Sequence, residues 1–297
     1  MPPEFKYRQQ FYQDYFNSQS GRTFSLNLEA KIKSEEYLLA KEILPLMPKN
    51  HDAAILDIGC GFGSLIYMLK QNGYHNLKGI DLSEGQVKMA QSIGLSEIEL
   101  QDLLPFLKEN IEKFDVITGI DIIEHFSKDE LMEVLNAVRN SLKANGIAIF
   151  RTPNLDAPFA TLFANGDFTH ENYLNYSSAN QVLLTAGFSE IQVLNSLMRS
   201  NNIIKEIFRK IIWLVVKFFI KLVIFATARS TRAMVFSPNL LIKAKKNYCK
   251  IISFNFFCTA ATLIRSIQVF SGYLQLIWSQ GLHSNTSCKK CALAPHG

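Results

Sequence analysis

The stretch Ala54-Ile55-Leu56-Asp57-Ile58-Gly59-Cys60-Gly61-Phe62-Gly63-Ser64 constrains this chain more than any other. An apolar, β-branched run delivers the backbone into three glycines at alternate positions, and an amphipathic segment starts directly after them. Lacking a Cβ, such residues allow a tight turn and a close approach of a ligand to the backbone. The unsatisfied N–H groups at the start of the next helix then face whatever binds there. The spacing is not the G-x-G-x-x-G of dinucleotide folds, and no Gly-Lys-Ser/Thr closes it as in a phosphate loop. NAD, FAD and ATP are thereby disfavoured, with glycines serving turn geometry alone as the competing reading.

From Ala53 onward, short apolar runs alternate with amphipathic segments, the pattern of a parallel sheet covered by helices in an α/β fold. Strands are expected at 54–58, 77–81, 97–100, 114–118, 147–151, 189–197 and 235–244, and helices at 63–71, 84–92, 128–143 and 178–186. Capping boxes pairing Ser83 with Gln86, Ser127 with Glu130 and Ser178 with Gln181 mark helix starts. Gly146 and Gly187 suit helix ends. Residues 1–50 read as a helical lid or buttress, with helical segments at 5–15 and 34–47, the second stopped by Pro45 and Pro48.

The strand ends carry the chemistry. Asp81 follows Gly63 by eighteen residues and closes the second strand, so its carboxylate faces the same crevice as the glycine turn. It can accept from two ribose hydroxyls, or serve only as a cap. In Glu99-Leu100-Gln101-Asp102-Leu103-Leu104, Asp102 suits an exocyclic adenine amine and Leu103 a ring face. The fourth strand, Phe114 to Asp121 through Gly119, supplies a floor.

Together these segments resemble the class I S-adenosylmethionine (SAM) dependent methyltransferases and, more loosely, their ubiquinone-biosynthesis-like O-methyltransferase branch. The glycine turn stands as that family's first motif, and Asp121-Ile122-Ile123-Glu124-His125-Phe126 as the motif after the fourth strand. The likeness covers about 50–200 and resumes at 235–246. It implies SAM as cofactor and a Rossmann-like, seven-stranded, mostly parallel sheet with an antiparallel last strand. It implies Asp57, Gly59, Cys60, Gly61, Gly63, Asp81, Leu82, Asp102, Leu103 and Gly119 as the cofactor-binding set, with Asp57 near the cofactor's amino group.

A hydroxyl acceptor needs a base or a metal to take its proton. His125, just after the fourth strand, is the first base candidate; the alternative is that it only satisfies backbone groups ahead of Ser127. His170, in the aperiodic link 152–177, is the second, with a pocket or a structural role equally open. Asp121, Glu124 and His125 do not stand at an established ligand spacing, so no metal site is expected from them. The Asn/Asp-Pro-Pro-Tyr loop of many amino-group methyltransferases is absent, which favours oxygen as the acceptor atom.

Charge is uneven along the chain. Between Arg199 and Lys250 twelve Lys and Arg stand against Glu206 alone. Within 203–225, charges placed at 100° per residue fall in one arc and leave a broad apolar face with Trp213 beside it. This basic insertion, spanning 199–234, reads as a helix at a membrane interface, with a lid against the domain or a second subunit as the alternative. Charges interrupt it too often for a spanning helix.

A core domain at 51–246 then ends, and an apolar tail, 247–297, follows. The tail is long enough to cross a bilayer, although its polar residues weaken that reading. Its Cys288-Lys289-Lys290-Cys291 is a single CxxC without a matching pair, and five cysteines argue against a disulfide framework. No secretory signal opens the sequence. The expectation is a cytoplasmic protein, peripheral at the membrane, that methylates a hydroxyl of a lipid, quinone precursor or lipid-linked glycan. A soluble sugar or small metabolite as acceptor, or a non-catalytic SAM-binding scaffold, is the alternative. Nucleic acid is not favoured as a partner, because the basic charges alternate with bulky aliphatics and no RNA-binding module is visible.

Overall fold

The computed structural model describes residues 28–196 and 202–247, together with Phe11. Most of the expected 5–15 helix and nearly all of the tail, with its CxxC pair, lie outside the described residues.

The apolar runs form strands β1 (Ile55–Ile58), β2 (Leu77–Asp81), β3 (Ile98–Leu100), β4 (Phe114–Ile120), β5 (Leu142–Pro153), β6 (Phe188–Ser196) and β7 (Asn239–Lys246). All seven lie in one sheet, in the order β3-β2-β1-β4-β5-β7-β6. The strands pair in parallel from β3 to β5, and β7 runs antiparallel to both β5 and β6. This is the Rossmann-like α/β fold expected from the motifs. Alternation along the strands sends Leu56, Ile58 and Ile117 into one buried layer, and Ile55, Val116 and Ile149 into the other. Burial on both faces explains why these strands read as continuous apolar runs.

The helices are α1 (Leu28–Glu42), α2 (Ser64–Gln71), α3 (Glu84–Ser92), α4 (Leu103–Glu109), α5 (Lys128–Ser141), α6 (Ala160–Ala164), α7 (Tyr176–Thr185) and α8 (Ile203–Ala226). Of the three capping boxes, only Ser127 with Glu130 forms. Ser83 sits at the cap position of α3 but its side chain caps nothing. In α7 the cap is Asn175, and Ser178 is its reciprocal partner three residues in. Several boundaries also move. The fifth strand begins at Leu142, not 147, so Gly146 lies inside a strand; the seventh begins at Asn239, not 235; α1 spans Leu28–Glu42, not 34–47; α5 ends at Ser141; and Asp102, just past the expected third strand, caps a helix the sequence reading did not place.

From β1 the chain winds outward through β2 and β3, then returns past β1 to β4. The connections on either side of that reversal leave in opposite directions, which opens a crevice at the carboxyl ends of β1 and β4. No helix among the described residues is long and apolar enough to cross a membrane.

Candidate active site

A cavity of about 910 Å³ occupies the crevice, near the upper end of the range for small-molecule sites. The turn after β1 forms one wall. Gly59, Gly61 and Gly63 have φ of 64°, 57° and 86°, a region L side chains avoid. A Cβ on Gly59 would lie 2.7 Å from Ile122 Cδ1, and one on Gly61 2.7 Å from Gln86 Oε1. The two glycines thus let the backbone itself line the cavity. Gly63 does something else: a Cβ there would lie 2.3 Å from Ile98 Cδ1, so this glycine seats α2 against the sheet. Gly119 is likewise wedged among Ile122, Phe150 and Ile58. Neither of these two lines the cavity; each packs against neighbouring side chains.

The rest of that set, Asp57, Cys60, Asp81, Leu82, Asp102 and Leu103, does line the cavity. Asp57 is buried and accepts a 2.7 Å bond from the Thr118 hydroxyl. Burial pushes its carboxyl up to about 7, against the opposing effect of Thr118 and with help from nearby Asp81. Asp81 accepts from the Gly61 N–H at 2.8 Å and from the Ser83 N–H at 2.7 Å, so it braces the glycine turn from the end of β2. Its carboxyl is also raised, chiefly by burial. Burial likewise raises the Cys60 thiol, keeping it protonated. Asp102 caps α4 by accepting from the Leu104 N–H at 3.3 Å.

Two carboxylates beneath a side-chain-free turn, with Ile80, Leu82, Leu103 and Leu104 around them, suit a ligand with a cationic amino-acid end, hydroxyls and an apolar ring. The residues present therefore fit SAM. When bound, SAM supplies an activated methyl on a sulfonium sulfur.

At the end of β4, Asp121 has φ 54°, an uncommon conformation outside glycine and one that marks a constrained position. Its carboxylate is gripped by Arg151 of β5, which also approaches Glu42 of α1 at 3.8 Å. The N-terminal helix reaches the cavity through Glu35, Leu38 and Leu39, and Glu35 accepts a 2.6 Å bond from Ser64. Sequence reasoning missed Arg151, Glu35 and Glu42. The first stands mid-strand with no motif around it, and its role appears only once the β4–β5 pairing sets Arg151 beside Ile120.

His125 lines the cavity and His170 does not, yet the two rings meet edge to face with centroids 4.8 Å apart. The link before α7 is stitched to the turn at Ile123–His125. Glu171 and Asn172 donate their N–H groups to the Glu124 carbonyl, and Asn172 Nδ2 donates to the carbonyls of Ile123 and Phe126.

Hydrogen bonds fix both imidazole tautomers. Thr169 has one hydroxyl hydrogen, which it donates to Asp167 Oδ1 at 2.7 Å. Its oxygen therefore accepts from His125 Nδ1–H at 2.8 Å. The Ala164 carbonyl can only accept, so His170 Nδ1 donates to it at 2.7 Å. Each ring carries its lone pair on Nε2. Burial, then His170, lowers the His125 pKa to about 4 and leaves that ring neutral. Burial and the Asp121 charge push the Glu124 carboxyl well up.

Comparison with known proteins agrees with this geometry. A methyltransferase-domain family model matches residues 32–193, more than half of the 297-residue chain. The cyclopropane-fatty-acyl-phospholipid synthase of Escherichia coli (strain K12) is 27% identical over 51% of this chain and 36% of that protein. The ubiquinone biosynthesis O-methyltransferase of Rickettsia prowazekii is 36% identical over 34% of this chain and 40% of its own length. The chain thus spans less than half of each of these relatives. Its fold matches that of a SAM dependent methyltransferase from Archaeoglobus fulgidus, with a TM-score of 0.56, 18% identity and coverage of 80% of this chain and 99% of the other. Glycine turn, strand-end carboxylates, sheet order and family match converge: the chain belongs to the class I SAM-dependent methyltransferases.

Proposed function

We propose that this enzyme methylates a hydroxyl of an amphiphilic acceptor, a lipid, quinone precursor or lipid-linked glycan, while resting on a membrane surface. The observation that carries the reading is α8. None of its 24 residues is buried, and aliphatic and aromatic side chains such as Ile211, Leu214, Phe218 and Phe225 stand more than half exposed. So much apolar surface on a monomer calls for a partner. Interleaved Lys205, Lys210, Lys217 and Lys221 favour anionic headgroups. The names of the two relatives, one a phospholipid synthase and one a ubiquinone-pathway O-methyltransferase, support an acceptor of this class.

In this reading 51–246 is the catalytic domain, 1–50 a helical lid over it and 199–234 the membrane-facing insertion. Gly59, Cys60 and Gly61 admit the methionine end of SAM, Asp57 meets its amino group, Asp81 its ribose, and Asp102 with Leu103 its adenine, with Leu82 flanking. His125 presents its Nε2 lone pair at the acceptor end and takes the hydroxyl proton in the ion-free protein.

Incubation with methyl-labelled SAM and separated lipid, glycan and RNA fractions tests the acceptor. Label is expected in lipid or lipid-linked glycan; label confined to a water-soluble metabolite overturns the reading. Gly59→Arg combined with Asp81→Ala should abolish SAM binding in calorimetry, and retained binding would refute the cofactor assignments.

A further inference from the structure

The turn after β4 and the link before α7 bring together three groups with metal-binding chemistry. Glu124, His125 and His170 each offer one ligand atom, and these atoms lie within 4.8 Å of one another. Both imidazoles anchor Nδ1–H on a hydroxyl or carbonyl oxygen and carry the lone pair on Nε2, the arrangement that outer-sphere hydrogen bonds impose on metal-ligating histidines.

Glu124 supplies an independent observation. It is 1% exposed, and its carboxylate accepts from Thr152, yet Oε2 has no partner among the described residues. Asn172 Oδ1 is in the same condition, on the residue whose N–H binds the Glu124 carbonyl. The Asn172 amide cannot be turned to relieve this, because Nδ2 is committed to two carbonyls. Buried acceptors are nearly always satisfied. What these oxygens lack is a donor or a cation.

We propose that Glu124, His125 and His170 bind one first-row divalent transition ion at the acceptor end of the cavity. Two imidazole nitrogens and one carboxylate favour such an ion over Mg²⁺ or Ca²⁺, which prefer oxygen throughout. Ligand atoms about 2.1 Å from a tetrahedral ion lie about 3.4 Å apart, so the three side chains close in when the ion enters. The ion clamps the link at 167–172 to the turn at Ile123–His125 and leaves a coordination position for an oxygen ligand. The lone pair of His125 then serves the ion, so ion binding and direct proton uptake at His125 exclude each other. The site is independent of the identity of the acceptor.

The test uses the full chain, stripped with chelator and titrated with Co²⁺ alone. One Co²⁺ per chain is expected, with visible d–d absorption and no thiolate charge-transfer band. His170→Ala and Glu124→Gln should each weaken binding by more than about 100-fold, and Thr169→Val, which frees the His125 ring, by about 10–100-fold. Calorimetric binding of S-adenosylhomocysteine serves as the folding control. If His170→Ala loses that binding too, the isosteric Glu124→Gln decides. Failure to take up Co²⁺, uptake unchanged in Glu124→Gln, or uptake abolished instead by Cys288→Ala with Cys291→Ala would overturn the proposal.

Discussion

Asp57 shows how one buried carboxyl can make the cofactor-free protein sensitive to pH. Its folded pKa is raised from 3.8 to about 7, so between those values the native state holds a proton that the unfolded chain has released. Stability then falls as pH rises through this window and levels off above it. Thermal melts of the cofactor-free protein should show that decline in the wild type, while Asp57→Asn should flatten it; parallel curves would refute the assignment. If the carboxylate meets the SAM ammonium, cofactor binding near pH 6 also releases a proton. Calorimetry in buffers of differing ionisation enthalpy reads that release directly.

At this scale the sequence was legible where the fold repeats a rule. Asp57, Asp81 and Asp102 stand in or just after successive parallel strands, and the sheet gathers such positions at one crevice. His170 could not be placed beside His125, because the 44 residues between them are folded back by loop hydrogen bonds from Glu171 and Asn172 to the Glu124 carbonyl, which leave no periodic trace. The letter alone does not separate a glycine whose backbone lines the cavity, as at Gly59 and Gly61, from one that admits a neighbouring side chain, as at Gly63 and Gly119.

Elements were legible by period and blurred at their ends. Helix α4 escaped notice because Leu103-Leu104-Pro105 reads as a strand end with a breaker. A proline within the first turn costs no hydrogen bond, since that N–H has no partner within the helix. Strand β5 starts five residues early because Leu142 pairs with Phe114 across an irregular register, ahead of the regular pairing of Val116 with Ile147.

Two substitutions test the elements. Gly119→Ala puts a methyl 2.9 Å from Ile122 Cγ2 and 3.1 Å from Phe150 Cδ1, and should cost about 1–3 kcal/mol through overpacking. Ser127→Ala removes the one capping box that the structure keeps from the sequence reading, and should cost about 1 kcal/mol. Urea unfolding measures both.

For the whole molecule, the sheet agrees with the sequence, while α8 answers to no part of the described core. If it lies in a membrane interface, Phe218→Glu with Leu222→Glu should abolish flotation with anionic liposomes and leave S-adenosylhomocysteine binding intact. Higher salt should weaken flotation of the wild type. Flotation equal to the wild type would remove the membrane from the account.

The pairing of β6 with β7 sets Ser196 directly opposite Asn239, so the two cut ends of the sheet that frame the insertion are already neighbours. Geometrically this is a hairpin whose loop has been exchanged for a 24-residue helix, and loop tips are where domains accept grafts. Trimming 203–230 to a short Gly/Ser bridge should therefore yield a transferase that still melts cooperatively and still holds its cofactor. Address and chemistry would then be separable parts, and transplanting the helix into a water-soluble relative at the same joint should carry the address with it.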